Sequence, residues 1–154
     1  MAGAALAGLL LVGCSHSVAA AGKSTSVFKL KIGQCLVPPT AIKAEITSIN
    51  AVPCSQPHTQ EVFANVTYGA GPPGATTTSV GTDFPGTPAV MTYANGACLE
   101  QFQSYVGVDY QDSTLYYTYL MPSARSWSSN DRRIVCLITT TGQQLTASVK
   151  GSHL

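Results

Sequence analysis

Cys54-Ser55-Gln56-Pro57-His58-Thr59-Gln60-Glu61-Val62-Phe63-Ala64-Asn65-Val66 constrains everything around it. A cysteine leads into a proline-stiffened turn carrying His58, and the chain then enters an alternating segment. Val62, Ala64, Val66 and Tyr68 fall on one side and Glu61, Phe63, Asn65 and Thr67 on the other, which is the period of a two-faced β-strand. Such a strand needs neighbours to pair with and a layer to cover it, and the flanking sequence is rich in candidates for both.

Upstream, Phe28, Leu30 and Ile32 alternate with Lys29 and Lys31, which predicts a half-buried strand over residues 27–32. Gly33-Gln34-Cys35 turns out of it, and Pro38-Pro39 forbids immediate continuation in a ladder. Ile46, Thr47 and Ile49 predict a weaker strand over 45–52 that delivers Cys54 to the turn. Downstream, residues 69–86 are rich in Gly, Pro, Thr and Ser without periodicity and read as one long surface loop. Thr87-Pro88 then supplies an N-cap and a proline at the first helical position. Ala94, Cys98, Phe102, Tyr105 and Val106 recur at spacings of three and four, predicting a helix from about Pro88 to Val106 that stops at Gly107.

Residues 114–121 are dense in Leu and Tyr on both faces, which predicts a strand that is central or covered on both faces rather than an edge. Over 133–140, Ile134, Cys136 and Ile138 alternate against Val135 and Leu137. Leu145, Ala147 and Val149 follow a short turn and predict a last strand closing a hairpin. The tail 151–154 is expected to fray, with no role for His153. Three strands, a helix and three strands make an α+β fold: a mostly antiparallel sheet of about six strands with one main helix packed on it.

The chain opens on a short apolar run ending Leu11-Val12-Gly13-Cys14, which has the form of a bacterial lipobox. The run is too short to span a bilayer, which takes roughly 20 apolar residues, and has the length of a secretory h-region. Residues 1–13 therefore read as a lipoprotein signal peptide and Cys14 as the acylated residue. No Lys or Arg precedes the run, so the translation start is expected further upstream. Residues 14–26 are small and polar and read as a tether, and 27–151, about 125 residues, as one domain with enough chain for a core.

Of five cysteines, removing Cys14 leaves Cys35, Cys54, Cys98 and Cys136, an even set in an exported chain. That pattern predicts two disulfides, and of three possible pairings Cys35–Cys54 with Cys98–Cys136 is expected because each closes a local loop between neighbouring elements. A zinc site is the rival, but no C-x-x-C pair is present and only His58 lies nearby. With Lys+Arg 8 against Asp+Glu 7 and only 10% charged residues, there is no electrostatic footprint for nucleic acid.

The chemical inventory is thin. His58 is the domain's one candidate acid–base group. Ser55 and Glu61 are near it in sequence, but Glu61 is three residues away on an extended chain, where odd spacings face opposite sides. No nucleophile elbow, His-Glu-x-x-His or phosphate loop is present. The structural reading, that His58 hydrogen-bonds a backbone carbonyl and fixes the turn, is preferred over binding and over catalysis. Trp127, the only tryptophan, is flanked by Arg125 and Arg132. It reads either as a ligand platform or, by preference, as a loop anchor folded onto the Cys98–Cys136 region with Asp131 pairing with an arginine and shaping the turn.

With these pieces in place the chain resembles the actinobacterial septum-formation family, exported domains regarded as regulators of septum formation. The resemblance is carried by Pro53-Cys54 with Pro57-His58 and Glu61-Val62, by Cys98 with Phe102, Tyr105 and Gly107, by Pro122, Trp127, Asp131-Arg132 and Cys136, and by residues 145–151. Two positions depart from the family pattern: Gln34 stands where Asp usually precedes the first cysteine, and Asn130 where Gly usually precedes Asp-Arg. Asn tolerates positive φ, so that turn should be kept. The resemblance implies an envelope and cell-division context, with no established activity, catalytic residue, cofactor or metal. The expected molecule is a lipid-anchored extracytoplasmic domain that binds an envelope protein or cell-wall component. Its expected contact surface is the His58–Glu61 turn together with the loop of Arg125, Trp127 and Arg132. An envelope hydrolase using His58 and a purely structural lipoprotein are the rivals.

Overall fold

The computed structural model describes residues 22–41, 45–69 and 81–154. The apolar run read as a signal peptide, Cys14, most of the stretch read as a tether and the centre of the long loop lie outside them.

Among the described residues six strands form one antiparallel sheet: β1 (Lys23–Ser26), β2 (Cys35–Val37), β3 (Ser48–Val52), β4 (Gln60–Thr67), β5 (Tyr116–Leu120) and β6 (Arg133–Thr139), in the order β1-β3-β2-β4-β6-β5. The helix α1 (Thr87–Val106) lies on one face, and a short helix, α2 (Ala124–Ser128), joins β5 to β6. The α+β expectation holds, although two strands differ from those predicted. Residues 27–32 are not a strand. Val27–Lys29 make a 3-10 turn, Leu30 is buried with Val27 packed partly against the same layer, and the polar residues read as the end of the tether, Lys23–Ser26, pair with β3. The apolar–lysine alternation arises because this loop lies across a sheet face and dips once into it.

The predicted last strand is likewise absent. Leu145 makes a single bridge to His58, Ala147 is exposed and only Val149 is buried. β5 is an edge strand rather than a central one, with Tyr116 exposed. Tyrosine is amphipathic, so its ring can cover the core while the hydroxyl reaches out, as Tyr117 does by donating to the Asn95 carbonyl.

The sheet separates two apolar layers. Phe63, Ala64, Ile134, Cys136 and Ile138 face α1 and pack on its Ala94, Cys98, Phe102, Tyr105 and Val106. Val62, Val135, Leu137, Leu36 and Ile49 face the other way and are covered by Leu30. The helical stripe and the division of β6 are as predicted. Both disulfides form as expected, Cys35–Cys54 at the start of β2 and Cys98–Cys136 between α1 and β6. Strict alternation fails once, in β4: Val62 pairs with Leu137 and Ala64 with Cys136, so Phe63 is a bulge residue. The bulge turns Phe63 and Ala64 to the same face and leaves four consecutive buried residues, Glu61 to Ala64.

The C-terminal tail is docked, not frayed. His153 N–H donates to the Val106 carbonyl, Gly151 N–H to that of Tyr105, and the His153 ring lies 2.7 Å from the Gly107 carbonyl. A helix end leaves carbonyls without intrahelical partners, and here the tail supplies donors. Gly107 itself is left-handed at φ +94°, as a helix stop requires.

Candidate functional site

The turn after Cys54 brings His58 to Leu145, and the two backbones exchange both hydrogen bonds, at 3.0 and 2.8 Å. The His58 side chain is fully buried, and its Nδ1 lies 2.7 Å from the Gln56 carbonyl. Because a carbonyl only accepts, Nδ1–H is the donor in that bond. This is the backbone contact expected of a turn-fixing histidine. Nε2 has no hydrogen-bond partner among the described residues.

Glu61 corrects the sequence reading. It does not face away from His58: the Cys35 sulfur, a His58 ring nitrogen and a Glu61 carboxylate oxygen all lie within 4.8 Å of one another. The odd-spacing argument fails because the chain bends at Thr59 between the His58 bridge and β4, so the two residues do not share one continuous strand. Glu61 is fully buried, and both its oxygens accept hydrogen bonds. Oε1 receives the Tyr105 hydroxyl at 2.5 Å and the Ser148 hydroxyl at 2.6 Å, and Oε2 receives the Val149 N–H at 2.9 Å. One carboxylate thus ties the central strand to α1 and to the C-terminal segment. Such a buried charge is tolerated only because each oxygen has donors aimed at it.

Of the three groups that could hold a metal, two are already engaged. The Cys35 sulfur is bonded to Cys54, and Glu61 is ringed by donors. Ser55, the other residue weighed as a partner of His58, is exposed.

Burial first, and the hydrogen bond to Glu61 second, raise the Tyr105 phenol well above the ordinary tyrosine range. A raised folded-state pKa means that the unfolded chain releases its proton first. The stabilisation is therefore complete below about pH 10 and is lost as pH climbs from there toward the folded value. Urea unfolding of wild type between about pH 9 and 11.5 should show stability falling with pH. Tyr105→Phe should make that slope shallower, with Tyr93 and Tyr117, both also raised by burial, supplying a residue of it.

Trp127 sits at the opposite end of β4, roughly 23 Å along the strand from Glu61 at 3.3 Å per residue. It is 2% exposed, edged by Tyr68 and Phe84 at 5.3 and 5.5 Å, and its Nε1–H donates to the Thr82 carbonyl at 3.0 Å. The Arg132 guanidinium lies 3.6 Å over the ring and donates to the Trp127 carbonyl. Trp127 is an anchor, as preferred, but of the loop around Thr82 and Phe84 rather than of the Cys98–Cys136 region. Asp131 shapes the turn by accepting from the Arg133 N–H, and Asn130 takes φ 65° where the family pattern has Gly. Gln34 accepts the Lys31 N–H at 2.8 Å through its amide oxygen, a role a carboxylate would fill equally well. Of the residues weighed for contact, Arg125 is exposed, while His58, Glu61 and Trp127 are buried in two separate places.

Sequence reasoning missed Tyr105 and Ser148 as partners of Glu61. Periodicity places Tyr105 on the apolar stripe and does not single out Ser148. An acidic residue in a segment that packs on a helix was the available signal, since it demands donors.

Over this geometry the family model described as Septum formation matches residues 32–152. The chain belongs to the septum formation family. The matched region runs from just before Gly33 to the docked tail and contains both disulfides, the Glu61 knot and the Trp127 anchor. Membership in the septum formation family points to a role related to septum formation. No curated protein and no solved structure matches the chain. No helix among the described residues is long and apolar enough to cross a membrane.

Proposed function

We propose that this septum-formation domain is exported, held at the outer face of the cell membrane through a lipid on Cys14, and acts by binding an envelope protein or cell-wall component in the regulation of septum formation. The observation that carries the binding half is the inward direction of the reactive side chains. His58 contacts Gln56, and Glu61 serves Tyr105, Ser148 and Val149. What such a molecule offers outward is shape and charge. The rival hydrolase needs an imidazole that water and substrate can reach, and the full burial of His58 speaks against it. Export is supported by two disulfides in a small domain, which suit an oxidising compartment.

Crosslinking in intact dividing cells, with mass-spectrometric identification of neighbours and of the acyl group, tests both halves. The expected result is a mature N-terminus at an acylated Cys14 and the same division-site neighbour in every replicate. Hydrolysis of peptidoglycan by the purified protein, abolished in His58→Ala, would replace the binding reading with the enzymatic one. A chain that retains residues 1–13 without lipid would remove the anchor.

A further inference from the structure

The loop between β1 and β2 is fixed on its inner side and unsatisfied on its outer side. Arg133 donates to the carbonyls of Phe28 and Leu30 at 2.6 and 2.5 Å, Asn65 donates to the Leu30 carbonyl, and Gly33 N–H donates to that of Val62. Leu30 is the one side chain of this loop buried in the sheet. Around it, Phe28 and Ile32 are 54% and 55% exposed, and Lys29 and Lys31 are exposed with them. A backbone held this firmly does not present two large apolar side chains to water as a by-product of disorder.

Charge is separated across the same sheet. Residues 22–41 carry Lys23, Lys29 and Lys31 and no acid, with the Arg133 guanidinium directly beneath the loop. Residues 46–124 carry Glu61, Asp83, Glu100, Asp109 and Asp112 and neither Lys nor Arg. Glu100 is on α1, and Asp109 and Asp112 flank Tyr110, which packs on Phe102 of that helix. The helix side carries these acids with Lys150 on the tail docked at its end, and the loop side carries the lysines and the apolar tips with Glu45 as the one acid near them.

We infer that the Phe28–Ile32 loop seats the domain on an anionic phospholipid surface. Aromatic and aliphatic tips enter the headgroup boundary while flanking lysines meet lipid phosphates, and the helix side with its acids is turned away by the same field. The choice of a bilayer as occupant follows from charge complementarity and from chain length. Eight residues lie between Cys14 and Lys23, a reach of at most about 30 Å, so a lipid on Cys14 would keep the loop near the membrane. The inference rests on the anchor reading for that proximity alone. The consequence is orientation: the anchored domain would lie loop-down instead of tumbling on its tether.

The test uses residues 14–154 with Cys14→Ser, which cannot be acylated and lacks the apolar run 1–13, so failure of the anchor leaves the result readable. Flotation with vesicles of phosphatidylglycerol and phosphatidylcholine should recover the protein, and pure phosphatidylcholine vesicles should not. Near an anionic surface each lysine is worth about fivefold, so Lys29→Glu with Lys31→Glu should weaken binding at least about tenfold and 0.5 M salt should release it. Phe28→Ser with Ile32→Ser should also lose binding, with unchanged thermal unfolding because all four side chains are exposed. Equal binding to both vesicle types, or binding untouched by these substitutions, would overturn the inference. So would a wild-type dimer that Phe28→Ser converts to monomer, since the patch would then be a self-interface.

Discussion

Glu61→Gln should lower the stability of the domain by about 2–3 kcal/mol, read as a urea midpoint shifted down by about 2 M. The backbone N–H of Val149 cannot turn away, so the Gln oxygen must take the Oε2 position to accept it. The amide nitrogen then faces the Tyr105 and Ser148 hydroxyls, and two charge-assisted bonds become weaker or are lost. Glu61→Ala should cost more, about 4 kcal/mol, because it also opens a cavity and strands the Val149 donor. Tyr105→Phe alone removes one neutral donor and should cost about 1 kcal/mol. Since both residues share one bond, the double substitution Glu61→Gln with Tyr105→Phe should fall short of the sum of the two. If Glu61→Gln left stability unchanged while abolishing partner capture, the carboxylate would belong to a binding site and not to the core.

The same residues show where sequence was informative. The stripe of α1 was readable because Ala94, Cys98, Phe102, Tyr105 and Val106 obey one helical period and all are buried against one layer. The cysteine pairing was readable because four cysteines allow few pairings and local loop closure favours one of them. β1 was not, because Lys23-Ser24-Thr25-Ser26 is an edge strand with no apolar face to announce it. Phe63 was misassigned because a bulge is a property of two paired strands and leaves no mark on one of them. His58 and Glu61 were separated for a related reason: the bend at Thr59 is set by the bridge to Leu145, a residue 87 positions further along. Local periodicity locates elements, whereas the site is made by contacts between segments distant in sequence. The joint surface expected of His58, Glu61 and Trp127 fails on this point, since β4 holds them at opposite ends.

Removing Cys98–Cys136 should be the more damaging of the two disulfide losses. By chain entropy a separation of 38 residues is worth about 4 kcal/mol, and one of 19, that of Cys35–Cys54, about 3 kcal/mol. Burial widens the gap. Cys98 and Cys136 are both fully buried between α1 and β6, so Cys98→Ala with Cys136→Ala also leaves a void in the main apolar layer. Cys54 is partly exposed, and its loss is relieved on the solvent side. Alanine is the right replacement, because serine would bury a hydroxyl without a partner. The single Trp127, which is buried, reports unfolding by fluorescence. The Cys98/Cys136 variant should therefore unfold at markedly lower urea than the Cys35/Cys54 variant. The reverse order would mean that the His58 turn, and not the helix-to-sheet clamp, holds this domain together.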